Sequence, residues 1–153
     1  HTTDSNVQDD LYHVNGAPVI EIFNDHTFLA FAEKPLIMET TQYSLELPLA
    51  PCKYNIGNWL RSPHPAIVNP MLRDIHIKRG DPIMYIRFIT EEPVEIIECD
   101  WTSEIDELHK VCGKVRNVTH KLGLQALYEM FNASSIRRRS LKAFKEAVAK
   151  EYI

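Results

Sequence analysis

Arg73-Asp74-Ile75-His76-Ile77-Lys78-Arg79-Gly80-Asp81-Pro82-Ile83-Met84-Tyr85-Ile86-Arg87-Phe88 holds two alternating runs broken at Gly80-Asp81. Alternation at period two is the pattern of a strand with one buried face, and glycine at the break supplies the turn geometry that other residues resist. Setting Arg79 opposite Pro82 makes Ile75 face Ile86 and Ile77 face Met84, a wholly apolar side. The opposite side pairs Asp74 with Arg87, His76 with Tyr85 and Lys78 with Ile83. A slip of one residue would set apolar against polar groups along the ladder, so the pattern favours this register. A second turn at Glu91-Glu92, with Thr90 opposite Pro93, extends the meander and places Ile97 against Ile86, Cys99 against Met84 and Glu98 against Tyr85.

Outward from this hairpin, the chain changes grammar near Asp100. All nine prolines lie between Pro18 and Pro93. Before Asp100, short runs rich in β-branched and aromatic residues predict strands, among them Ala17 to Asn24, Thr27 to Ala32, Leu36 to Thr40 and Tyr43 to Leu49. Tyr43, Leu45, Leu47 and Leu49 share one face of the last, and Pro48 confines it to an edge or a bend. After Asp100 the apolar spacing becomes three and four. Ser103 with Glu104, Asp106 and Glu107 reads as a helix start, followed by Ile105, Leu108, Cys112 and Val115 on one face. A second helix carries Leu124, Leu127, Tyr128 and Phe131, and a third, from Ser135, lines up Leu141, Phe144, Val148 and Tyr152. The fold class is therefore α+β, an antiparallel β-sandwich or partial barrel followed by two to three helices. Residues 1–14 form an N-terminal segment that need not be ordered, 15–100 the β domain and 101–153 the helical appendage.

Composition bounds the function classes. The 153 residues are 44% hydrophobic and 25% charged, which excludes wholesale disorder. The 17 basic and 21 acidic side chains leave a net charge of −4, against a protein that coats nucleic acid with its whole surface. That total conceals a split: residues 1–100 hold 7 basic and 15 acidic groups, −8, and residues 101–153 hold 10 and 6, +4. No run reaches the roughly 18–20 apolar residues of a spanning helix, so no membrane role is expected. These residues contain no charged-then-apolar leader, and a cytoplasmic location is the expectation. The three cysteines, Cys52, Cys99 and Cys112, are odd in number and lack a C-x-x-C spacing, so buried free thiols are expected.

Chemistry-bearing residues gather in three places. The polar side of the meander would hold Asp74, His76, Lys78, Tyr85, Arg87 and Glu98, either a plain solvated sheet face or a ligand site. Asp74 and His76 project to one side, and His64 from the preceding loop could join them. Two histidines and a carboxylate can hold Fe(II) or another divalent metal with open positions, which gives a metal-dependent, oxygenase-like alternative. The order Asp-x-His reverses the usual His-x-Asp of such sites. The loop Tyr54 to Pro65 is the second place: prolines 63 and 65 stiffen it, and Trp59, Arg61 and His64 suit a planar or anionic ligand. Otherwise Trp59 caps the core. The third is the basic run Arg137-Arg138-Arg139 with Lys142 and Lys145, a solvated helix face or a docking surface for an acidic partner or nucleic acid. Nucleic acid is the less favoured partner, because exposed aromatics do not interleave the cations. No nucleophile elbow, dinucleotide fingerprint or phosphate-binding P-loop occurs.

The stretch Ile77 to Ile83 with Tyr85 to Phe88 resembles the closing hairpin of dUTPase-like β-clip proteins. The Gly-rich nucleoside loop and C-terminal arm of those enzymes have no counterpart, so their activity is not carried over. Together with Gly57-x-Trp59-x-Arg61, the hairpin is similar to poorly characterised β-domains of phage and bacterial genomes, over residues 43 to 98. That resemblance implies a phage origin, with the host cytoplasm as location, and supplies no activity. The expectation is a non-catalytic binding or assembly module with a protein partner or a homo-oligomeric state.

Overall fold

Among the described residues, seven strands precede three helices, the α+β order expected. The computed structural model describes residues 10–14, 16–21, 28–60, 65–118 and 123–151. The strands are β1 (Asp10–Val14), β2 (Val19–Glu21), β3 (Ile37–Gln42), β4 (Cys52–Asn55), β5 (Ala66–Val68), β6 (Ile75–Lys78) and β7 (Met84–Ile89). The helices are α1 (Ser103–Val118), α2 (Leu124–Ala133) and α3 (Ser135–Glu151). The strands form three small sheets, ordered β1-β6, β2-β5 and β4-β3-β7. Contacts divide the chain into two units: His1–Phe28, Glu39–Lys53 and Ser62–Arg87 make the first; Leu29–Met38, Tyr54–Arg61 and Phe88–Ile153 make the second. Each unit thus takes three separate stretches, where composition marked one boundary near Asp100.

In the first unit, β6 keeps the expected alternation: Ile75 and Ile77 are buried while His76 and Lys78 face outward. Its partner is β1, antiparallel, with Val14 opposite Ile75, His13 opposite His76 and a register irregularity between Asp10 and Tyr12. The ladder expected between β6 and β7 does not form. The turn itself is present, with Gly80 at φ +91°. Asp81 N–H donates to the Lys78 carbonyl (3.1 Å), and Lys78 N–H donates to the Asp81 carboxylate (2.9 Å). These bonds close the turn locally, and Pro82 has no N–H to continue a ladder. β7 pairs with β3 instead, where Arg87 meets Glu39 at 3.0 Å rather than Asp74. Glu39 also accepts Lys53 at 3.5 Å. The two cations are exposed, while the Glu39 side chain between them is 16% exposed.

Two further expectations are corrected. Residues 93–100 belong to no strand, so Cys99 and Glu98 do not oppose Met84 and Tyr85. Residues 43–48 form turns, and Leu45 is 83% exposed rather than sharing a buried face. Of that run Leu49 is buried in the core, bridging Ile67, and Leu47 packs against it. Pro48 is tolerated here because its role is to accept, its carbonyl taking Val68 N–H at 2.7 Å. Ile20, Leu49, Ile67, Ile75 and Ile77 make this unit's core, with Leu47, Ile83 and Met84 packed against it.

The second unit is built on the helices. α1 starts where expected, but Thr102 is the cap, its Oγ1 accepting Ile105 N–H at 3.2 Å. Ile105, Leu108 and Cys112 are buried beneath it, as spaced. α2 buries Leu127, Tyr128 and Phe131, also as read. On α3 the buried line is different: Ser140, Ala143 and Ala147 point inward, while Leu141 and Phe144 are half-buried. Small residues let this helix approach closely, and Ser140 satisfies its hydroxyl on the Ile136 carbonyl (2.7 Å). Phe131 anchors an aromatic group with Phe31 (6.3 Å, edge-on) and Trp59 (5.6 Å), and Phe31 also stacks on Phe144 (5.3 Å). Such pairs add about 0.5–1.5 kcal/mol beyond the area they bury.

Cys112 is the one buried thiol of the three; Cys52 and Cys99 are half-buried. Burial pushes the Cys112 thiol from its ordinary 9.0 up to about 11, with a hydrogen bond at Leu60 pulling partly the other way. The unfolded chain therefore loses this proton first as pH rises. Between about pH 9 and about pH 11 the native state alone keeps it, so stability falls across that window. Denaturation midpoints measured across the window should decline less steeply in Cys112→Ala than in the parent chain. Equal slopes would show that the thiol contributes nothing.

Candidate functional site

An open cleft of about 490 Å³ lies in the first unit, lined by Tyr43, Glu46, Arg73, Asp74, His76 and Asp81 with the flanking Ser44, Leu47, Ile75 and Pro82. Its volume falls within the range that small-molecule sites occupy. Each wall has a local cause. β6 alternates, so the same geometry that buries Ile75 and Ile77 turns His76 outward. The turn after β6 brings Asp81 alongside, and the turns at 43–48 bring Tyr43, Ser44 and Glu46.

Arg73 and Asp74 are positioned from below by Asn69, which is 2% exposed. Its amide donates to the carbonyls of Arg73 (2.6 Å) and Ala17 (3.0 Å), and its carbonyl accepts Arg73 N–H (3.2 Å). The Asn69 backbone N–H donates to the Pro18 carbonyl at 2.8 Å, and its own carbonyl accepts Leu72 N–H at 3.1 Å. Leu72 sits at φ +53°, the left-handed region that a branched side chain rarely enters. The loop 69–74 is thus over-determined by one amide. Tyr85 stands beside Tyr43, with ring centres 5.2 Å apart.

The expected site residues distribute unevenly. Asp74 and His76 share the cleft. Tyr85 is exposed and touches the cleft residue Tyr43; Arg87 is engaged with Glu39; Glu98 is exposed on the irregular segment after β7. Trp59 is 3% exposed within the second unit's core, so its ring faces Phe131 and not a ligand. Arg61 and His64 lie outside the described residues. Among the described residues no group of three or more His, Cys, Asp and Glu side chains assembles as a metal site. Arg73, Tyr43, Ser44 and Glu46 were not singled out in sequence. Arg73 directly precedes the alternating run, whereas the turns at 43–48 read as a strand.

The basic run of α3 also separates into parts. Arg137 is structural: it donates to the carbonyls of Glu33 (2.7 Å) and Gly57 (3.3 Å) and does not present itself to a partner. Arg139 is held by Glu104 at 3.1 Å. Arg138, Lys142 and Lys145 remain exposed around Leu141 and, with Glu146, line a shallow groove of about 480 Å³. Lys145 pairs with the exposed Glu33 at 3.2 Å, and Lys142 lies 4.0 Å from Glu146.

No helix among the described residues is long and apolar enough to cross a membrane. Comparison with known proteins finds no matching family model, no similar curated protein and no matching solved structure.

Proposed function

We propose that the protein is a non-catalytic binding or assembly module, phage-encoded and working in the host cytoplasm. It would act through the polar cleft of its first unit and through the basic face of α3. The observation that carries this reading is the arrangement around Leu141: three exposed cations rim an apolar floor on a helix whose other side is buried. Long basic side chains around a half-buried apolar residue suit a protein surface bearing acids and apolar groups. The cleft supports binding of a small ligand of mixed polarity, since Arg73 and Ser44 donate where Glu46 and Asp74 accept.

The competing reading is a metal-dependent, oxygenase-like enzyme using His64, Asp74 and His76. One observation favours it: Asp74 and His76 line the same cleft. Elemental analysis of the purified chain and of His76→Ala separates the two. A binding module should hold no stoichiometric transition metal, and the substitution should leave the content unchanged. A stoichiometric metal that is lost in His76→Ala would replace the binding reading with the enzymatic one.

A further inference from the structure

We infer that the protein self-associates, the segment from Glu91 to Trp101 of one copy seating on the basic face of α3 of a second. The inference rests on the reading of α3 as a docking face and names its occupant.

The segment has the character of an unoccupied interface. Residues 93–100 belong to no helix, turn or strand among the described residues. Four large apolar side chains stand in solvent within a few positions: Val94 at 41%, Ile96 at 74%, Ile97 at 47% and Trp101 at 54% exposure. Single exposed apolar residues are ordinary, but a run of them marks a contact surface. Glu91, Glu92, Glu95, Glu98 and Asp100 interleave that run, all exposed, with no cation among them. No ion pair joins any of the five to a basic side chain among the described residues. Trp101 is already oriented. Its indole N–H donates to Asp106 (3.1 Å), and its ring meets His109 edge-on at 5.8 Å. An aromatic anchor held in place before binding loses little freedom when it docks.

α3 offers the complement. Arg138, Lys142 and Lys145, with a single acid, Glu146, surround Leu141; Lys145 pairs with the exposed Glu33, and the rim stays net basic where the segment has acids flanking apolar side chains. Every residue that lines this groove belongs to α3 itself, so the segment does not fill it within its own chain. Both halves of the complementarity are therefore carried by each molecule and are open to a second copy. Charges arranged this way steer encounter and select the partner, while Leu141 and the exposed isoleucines supply burial. The pairing is head-to-tail in chemistry, acid on base, so each copy can donate and accept once.

Sedimentation velocity on the full chain tests this. The wild type should associate at about 0.05 M salt and weaken markedly at about 0.5 M, where exposed charge pairs are screened. Two double variants are compared: Glu95→Lys with Glu98→Lys, and Lys142→Glu with Lys145→Glu. All four residues are exposed, so both variants should keep the parent's circular dichroism and melting behaviour. Each alone should associate about tenfold or more weakly than wild type. An equimolar mixture should recover association, because the reversed segment of one then faces the reversed helix of the other. A monomeric wild type at low salt, wild-type association by either variant alone, or a mixture that stays monomeric would each overturn the inference. The binding-module reading falls on a different result, the loss of a stoichiometric metal in His76→Ala.

Discussion

Gly57→Ala should fail to accumulate as a stable protein, or should melt far below its parent. A Cβ at position 57 would stand 2.1 Å from the Lys34 carbonyl oxygen, 2.5 Å from its carbon and 2.8 Å from Pro35 N. All three are backbone atoms, so no rotamer change can relieve the clash, and one stretch of main chain must move. Its neighbours resist such movement. Asn55 Oδ1 accepts both Gly57 N–H and Leu36 N–H at 3.2 Å, and Ile56 exchanges with this strip through Leu36 (2.9 Å) and Ala32 (3.1 Å). Arg137 then ties Gly57 and Glu33 from α3. Displacement would break several of these bonds together, and a loss of about 3 kcal/mol or more follows. Urea denaturation of the parent and variant checks it; a difference under about 1 kcal/mol would show that the close approach is not as described.

Asn69→Ala should cost about 2–4 kcal/mol, because it removes both ends of a buried network at once. The Arg73 N–H and the carbonyls of Arg73 and Ala17 would lose the partner that the buried Asn69 side chain gives them. The penalty is that of orphaned polar groups, which exceeds the net value of the hydrogen bonds themselves. Leu72, at φ +53°, would lose the frame that holds it there. Asn69→Asp is an informative second substitution: it keeps the acceptor for Arg73 N–H but places a carboxylate oxygen against two carbonyls. It should be at least as damaging as alanine. A mild effect of both would show that the loop, and with it the placement of Arg73 and Asp74 in the cleft, is held by something else.

What was legible in the sequence followed local periodicity. The alternation of Ile75-His76-Ile77-Lys78 announced a half-buried strand, and the spacing of Ile105, Leu108 and Cys112 announced a helix with its inner face. The partner of β6 was not legible. Asp10 to Val14 carries no stronger signal than other short runs, and the turn at Gly80-Asp81 offered a nearer partner. Hairpin logic assumes that sequential strands pair, which holds often but not here. The inner line of α3 was missed for a different reason. Ser140, Ala143 and Ala147 are small, and a search for large apolar residues settles on Leu141, which is only half-buried and lines the open groove.

The candidate site was half legible. Asp74 and His76 followed from strand alternation, while Tyr43 and Glu46 reach the cleft through turns that resemble a strand in composition. Arg137 could not have been set apart from Arg138 by sequence. Its partners are backbone carbonyls 80 and 104 positions upstream, which carry no side-chain signature.

The threading of each unit from three stretches has a consequence for how the chain folds as it is made. β6 must be synthesised before β1 has a partner, and Asn55 N–H waits 73 positions for the hydroxyl of Tyr128. Trp59 meets Phe131 only when α2 exists. Neither unit can therefore reach its final core from its first stretch alone, and the entropy of closing long loops precedes the contacts that reward it. Folding should be a late event, gated by distant encounters and falling toward the millisecond-to-second end of small-domain rates. Until α2 is in place, Trp59 and Leu60 remain unsheltered beside an unfinished core, and chaperone demand is expected to be greatest in that interval.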